Sequence, residues 1–183
     1  MNPASNLILV GPMGAGKSTI GKRLAEQFGL AFFDLDHEIE ARTGASVALI
    51  FELEGEEGFR QRESTQLAEL LAGENRLVST GGGTVLSAGN RALIRNSGYV
   101  VYLHATVAQQ LRRLERDRQR PLLAAGDRRQ RLEELARQRD PLYAEVADLD
   151  VAGENLSVAN AAERIGAELG RRWLRRDGDP DAA

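Results

Sequence analysis

Short apolar runs that stop at a glycine or an acid alternate along the chain with stretches whose apolar residues recur at helical spacing. Residues 6–10 are apolar, partly β-branched, and end at a glycine loop, which predicts a buried strand. From 17 to about 28, Ile20, Leu24, Ala25 and Phe28 mark one helical face, and Gly29 predicts its end. Residues 31–33 predict a second strand, running into Asp34-Leu35-Asp36. Helical patterns follow at 38–42, ending near Gly44, and from Ser46 through Ile50 and Phe51. The second is interrupted at 54–58 before a longer helix at 59–71. Residues 77–79 predict a third strand, leading into Thr80-Gly81-Gly82-Gly83, and 89–95 a short helix. Residues 99–103 are the plainest strand, and 107–114 a helix. A long helix is expected over 128–147, which Pro141 should kink or divide. A last strand at 149–151 and a last helix at 157–174, N-capped by Ser157, complete the pattern.

Five short strands alternating with helices predict an α/β fold with a parallel sheet covered on both faces. There is no internal repeat and no long linker. A single domain is expected over 1–175, with insertions at about 34–64 and 115–127 and a polar, disordered tail at 176–183.

Composition changes this picture only by exclusion. The 183 residues suffice for one sizeable core. A net charge of −3 supplies no basic field for nucleic acid or an anionic membrane. Without cysteine there are no disulfides, thiolate metal sites or cysteine nucleophiles. No signal peptide is evident, and no apolar run approaches the roughly 20 residues of a membrane span. A cytoplasmic protein without nucleic-acid or membrane partners is expected. Only Lys17 and Lys22 are lysines among the 24 basic residues, so a lysine at position 17 stands out against an arginine background.

Gly11-x-x-x-x-Gly16-Lys17-Ser18 satisfies the phosphate-loop pattern between a predicted strand and a predicted helix. Glycines let successive backbone N–H groups turn inward around phosphate oxygens, and the helix offers its positive end. Gly14, Ala15, Gly16, Lys17, Ser18 and Thr19 are therefore expected to bind a nucleotide triphosphate. Lys17 would reach the β- and γ-phosphates, and the Ser18 hydroxyl would ligate Mg²⁺. The phosphoryl acceptor is either water or a small molecule. No guanine-reading N-K-x-D segment is present, and the apolar strands 99–103 and 77–79 run into His104 and Thr80, not into the aspartate a conventional motor would carry there. Both absences weigh against a GTPase or a motor.

Other candidates lie where the strands end. Asp34 and Asp36 follow the second strand on the edge that carries the phosphate loop. One could serve Mg²⁺ and the other accept a hydrogen bond from a substrate hydroxyl; both also suit helix N-caps. Arg60 and Glu63 stand one helical turn apart, as a site pair or as a surface pair worth a few tenths of a kcal/mol. The triplet Gly81-Gly82-Gly83 suits a ligand against bare backbone, or a flexible turn. Arg120 and Arg139 suit phosphate or carboxylate recognition, although each alone is common in so arginine-rich a chain. His37 and His104 have no evident partner and read as structural or exposed.

Taken together, GPMGAGKSTIGK, FFDLD, LEGEEGFRQRE, STGGGTV, RPLL and RDPLY resemble the motifs of shikimate kinase, in family order, over about the first 145 residues. The resemblance implies a nucleoside-monophosphate-kinase-like P-loop kinase with a five-stranded parallel sheet flanked by helices, a substrate-binding insertion and a mobile lid. It implies transfer of the ATP γ-phosphate, with Mg²⁺, to the 3-hydroxyl of shikimate, on the route to chorismate and the aromatic amino acids, by a monomer. Asp36 would hold the reacting hydroxyl and help remove its proton. Arg60 and Arg139 would grip the carboxylate, Glu63 would brace Arg60, and Gly81, Gly82 and Gly83 would lie against the substrate. Arg120 would descend with the lid onto the phosphates, Asp34 would assist Mg²⁺ beside Ser18, and Arg113 would stack on adenine. A gluconokinase should lack the paired arginines and the R-P-L-L lid. A non-catalytic relative should have lost Lys17, Asp36 or Arg60, which are all present. After Asp148 no family motif is found, so nucleotide contacts in 153–157 are conjecture and the arginine-rich tail is unassigned.

Overall fold

The computed structural model describes residues 5–115, 127–151 and 157–174. The expected lid at 115–127, with Arg120, falls outside them save for its two end residues. The expected tail and nearly all of the conjectured contact segment at 153–157 lie outside them too.

Five strands form one sheet in the order β2-β3-β1-β4-β5, with every neighbouring pair parallel. They are β1 (Leu7–Val10), β2 (Ala31–Asp34), β3 (Arg76–Ser79), β4 (Tyr99–Leu103) and β5 (Leu149–Val151). The helices are α1 (Lys17–Phe28), α2 (Leu35–Thr43), α3 (Val47–Leu71), α4 (Ala88–Ser97), α5 (Val107–Leu114), α6 (Arg128–Val146) and α7 (Val158–Arg172). Leu7 pairs with Leu77 on one side and Tyr99 on the other, which puts β1 at the centre.

The continuous apolar run of β1 follows from burial on both faces. Side chains alternate along a strand, so Leu7 and Leu9 meet Ile20 and Leu24 of α1 and Ile165 and Leu169 of α7. Ile8 and Val10 point the other way, toward Phe59 and Leu67 of α3, Ile94 of α4 and Tyr143 of α6. All four β1 side chains are fully buried.

Two local expectations need correction, and a third is met. The helix expected at 38–42 starts at Leu35, directly after β2, because the Asp34 carboxylate accepts from the His37 N–H and serves as its N-cap. Asp36 is therefore in the first turn of α2 and not on a loop. The interruption expected at 54–58 is present: Gly55, with φ 71° and ψ −178°, is non-helical and separates two helical stretches of α3. Pro141 does not divide α6. The carbonyl its missing N–H would have used is that of Arg137, and both residues are on the exposed side, where water can take that carbonyl's bond.

Candidate active site

The carboxyl ends of β1, β2 and β3 open into a cleft of about 770 Å³. Gly14, Gly16, Lys17, Ser18, Thr19, Asp34, Asp36, Arg60, Glu63, Gly81, Gly82, Gly83, Arg113 and Arg139 all line it. Most candidates from across the sequence thus share one wall or another of a single site. Ala15 does not line it: its side chain packs in the core and its N–H donates to the Pro12 carbonyl at 3.3 Å.

The phosphate loop joins β1 to α1. Gly11 has φ 142°, and a Cβ there would sit 2.3 Å from the Leu103 carbonyl oxygen, so only glycine lets the loop cross the end of β4. The Lys17 ammonium lies 2.8 Å from the Gly11 carbonyl and 2.9 Å from that of Pro12, which holds it over the loop. Arg113 of α5 donates to the Gly14 carbonyl at 2.7 Å, so its guanidinium rests against the loop. Asp34 accepts from the Ser18 hydroxyl while also capping α2. Two oxygen donors of the kind Mg²⁺ prefers therefore touch at the loop's mouth. Among the described residues no group of three or more His, Cys, Asp or Glu is placed to hold a metal. The pair suits an ion that takes its remaining ligands from phosphate and water.

Opposite the loop, Arg60 and Glu63 form more than a surface pair. Glu63 has no exposed area. One of its oxygens accepts from Arg60 Nη1 at 2.8 Å, the other from Thr84 Oγ1 at 2.7 Å. Arg60 also reaches Glu56 at 3.2 Å. Burial works against the Arg60 charge, but Glu63 and Glu56 outweigh it and its pKa is raised.

Arg139 of α6 is only 4% exposed. Burial lowers its pKa below the ordinary guanidinium value, and the nearby charge of Arg60 pushes the same way; the group stays charged at neutral pH. Among the described residues no carboxylate comes within ion-pair distance of it. The Nε atoms of both Arg60 and Arg139 are buried without a hydrogen-bond partner. Arg60 is paired by Glu63 and Glu56, but a buried charge left without a counter-charge, as Arg139 is among the described residues, is costly, which suits this end of the cleft to an anion.

The glycine triplet has a physical reason at each end. A Cβ on Gly83 would lie 2.3 Å from Arg60 Nη2, and one on Gly81 would lie 2.8 Å from Glu63 Oε1 and 3.1 Å from Asp36 Oδ1. The outer glycines make room for the site's own side chains. Gly82 has more space, its nearest neighbours being Met13 N at 3.5 Å, Tyr143 Oη at 3.6 Å and Arg139 Nη1 at 3.7 Å. Asp36, Gly81 and Glu63 are thereby drawn together beside the two arginines.

A family model described as shikimate kinase matches residues 13–169. The chain belongs to the shikimate kinase family. The shikimate kinase of Xanthomonas campestris pv. campestris is 55% identical over 173 residues, covering 94% of this chain and 96% of that one. That of Stenotrophomonas maltophilia is 54% identical over 177 residues, covering 97% and 98%. A structure of the shikimate kinase from Acinetobacter baumannii in complex with shikimate superposes with a TM-score of 0.89 at 45% identity, over 92% of this chain and 95% of that one. The fold read from the strand pattern is therefore that of the family, and the chain is an ATP-dependent kinase.

The cleft and the elements around it also contain residues that sequence reasoning passed over. Phe51 and Phe59, with ring centroids 4.6 Å apart, form an apolar wall across the Gly55 kink. Glu40 accepts from the Val47 N–H at 2.9 Å and ties α2 to the start of α3. Thr84 anchors Glu63. Tyr143 stands one turn beyond Arg139, a spacing the sequence does display. His104, which had no evident partner, lies with Nε2 against Asp150 and stacks on Tyr102 at 3.7 Å between centroids.

Proposed function

We infer that the chain transfers the γ-phosphate of ATP to the 3-hydroxyl of shikimate, giving shikimate 3-phosphate and ADP. The observation that carries this is the buried Arg139 beside Arg60, without a carboxylate partner among the described residues, in the cleft that also holds Asp36 and the phosphate loop. A small substrate with one carboxylate and a ring hydroxyl meets those three features at once.

In this reading Arg60 and Arg139 take the substrate carboxylate through charge-assisted hydrogen bonds, and Glu63 fixes Arg60. That sets the ring so that the 3-hydroxyl faces Asp36. The Asp36 carboxylate accepts the hydroxyl proton as the oxygen forms its bond to phosphorus and the bond from phosphorus to the ADP oxygen breaks. Phosphoryl transfer asks a protein mainly for alignment and charge neutralisation. Lys17 and the inward N–H groups of the loop supply the second. Ser18 and Asp34 would hold Mg²⁺, which when bound shares the phosphate charge. The insertion at 34–64 contributes Asp36, Arg60 and Glu63 to the substrate side. The same reading has the protein act as a cytoplasmic monomer, as the family resemblance implies. No helix of the described residues is long and apolar enough to cross a membrane.

A coupled ADP-release assay with Mg-ATP tests this, run with shikimate, quinate, gluconate and no acceptor. Release that depends on shikimate is expected. Release without an acceptor, or only with another acid, would overturn the substrate assignment while leaving the phosphate loop intact.

A further inference from the structure

Tyr143 is fully buried in α6, and its hydroxyl is turned toward the glycine triplet that lines the cleft. It donates to the Gly82 carbonyl at 2.5 Å. A Cβ built on Gly82 would lie 3.6 Å from that oxygen and 3.7 Å from Arg139 Nη1, so tyrosine and arginine meet over the same glycine. The guanidinium of Arg139 lies beside the Tyr143 oxygen, and the two interact electrostatically. A phenol has one proton to give and lone pairs to receive. Here the proton goes to Gly82, which leaves the lone pairs for the neighbouring Arg139 guanidinium.

The consequence lies in what else could hold Arg139. Its Nε has no partner, and among the described residues no carboxylate pairs with it. Tyr143 is thus the fixed polar neighbour, one helical turn away on the same face of α6, which ring packing with Tyr102 at 5.1 Å between centroids keeps in place. Through Gly82 the same hydroxyl reaches the loop that carries Gly81, against which Asp36 and Glu63 pack.

We propose that Tyr143 is a positioning residue for the anionic end of the substrate: its hydroxyl fixes Arg139 against the Gly82 carbonyl, so that the arginine is aimed before the carboxylate arrives. The proposal rests on the assignment of Arg139 to the substrate carboxylate. It adds that an uncharged hydroxyl, which never touches substrate, sets how well that arginine reads it.

Tyr143→Phe keeps the ring and removes the hydroxyl. KM for shikimate should rise about five- to tenfold, the scale of one hydrogen bond to a charged group. kcat should change less than about twofold, and KM for ATP should stay unchanged. In an Arg139→Ala background the same substitution should have no further effect on KM, because the residue acts through that arginine. With the carboxamide of shikimate as acceptor, Tyr143→Phe and the parent should be equal. An unchanged KM for shikimate, or an equal penalty in the Arg139→Ala background, would overturn the proposal. If Arg139→Ala itself leaves KM unchanged, the carboxylate assignment fails and this proposal fails with it; a penalty for Arg139→Ala alone fails only the proposal. Should Tyr143→Phe not fold, 3-fluorotyrosine at position 143 retains the hydroxyl. Its ¹⁹F resonance should shift on addition of shikimate and not of the carboxamide, and a resonance indifferent to both would overturn the role.

Discussion

The carboxylate of Glu63 lies 2.8 Å from the Arg60 guanidinium and 2.7 Å from the Thr84 hydroxyl, with no surface of its own exposed to solvent. Both oxygens are engaged, one by a cation at the cleft and one by the turn after the glycine triplet. Arg60 is therefore aimed by a buried acid that is itself held at its far oxygen.

Removing that acid should cost twice. Glu63→Ala leaves a half-buried guanidinium without its main counter-charge, and losing one partner of a buried pair costs on the order of 3 kcal/mol. Urea unfolding should show a loss of that order. KM for shikimate should rise about tenfold, and KM for ATP should stay near the parent value. Thr84→Val, which removes only the outer anchor, should cost about 1 kcal/mol. Equal stability of Glu63→Ala and the parent would mean that the pair contributes nothing net.

Asp36 touches the neighbourhood of Gly81 and faces the cleft from the first turn of α2. Asp36→Asn preserves shape and removes the proton acceptor. kcat should fall at least about 100-fold, the scale of a general-base contribution, while nucleotide binding measured by calorimetry stays within about twofold. Near-normal turnover would take Asp36 out of the chemistry.

The direct contact of Asp34 with the Ser18 hydroxyl leads to a separable effect. Asp34→Asn should raise the Mg²⁺ concentration needed for half-maximal activity several-fold, because a carboxylate ligand or orienter becomes a neutral amide. The same change keeps a side-chain cap on α2 but removes a negative charge from the helix's positive end. A small loss of stability, about 0.5 kcal/mol, should accompany it. Unaltered Mg²⁺ dependence with the same stability loss would reduce Asp34 to a helix cap.

Elements were legible where local pattern and tertiary burial ask for the same thing. Tyr99–Leu103 is apolar throughout because both faces of β4 are covered, and the periodic apolar face of Lys17–Phe28 is the face that packs on the sheet. The phosphate loop was legible because its chemistry is local, with every functional atom inside nine residues. Illegible features depend on residues that are distant in sequence. Gly83 is glycine because Arg60, on another element, presses against it. Nothing near Arg139 in the sequence says that it is buried without a carboxylate; that follows from how α6 lies against β4 and the triplet. Glu63 looked like half of a surface pair because its separation of 21 positions from Thr84 hides their contact.

Gly21 shows how such a distant contact decides a substitution that local rules would favour. It lies inside α1, with no left-handed backbone to demand glycine, so alanine should gain about 1 kcal/mol in helix propensity. Yet a Cβ there would sit 2.8 Å from the Phe32 ring and 3.1 Å from both Leu9 and Leu77. Those neighbours lie on the sheet face beneath the helix, in a core with no slack. Overpacking of this kind costs about 1–3 kcal/mol, which equals or outweighs the propensity gain. Gly21→Ala should therefore lower stability by about 0–2 kcal/mol net, seen as a fall of up to about 8 °C in Tm for a domain of this size. Because α1 begins at the phosphate loop, pushing it off the sheet should raise KM for ATP more than KM for shikimate. A Tm above the parent's would mean that Phe32 yields to the new methyl group and that propensity decides the outcome.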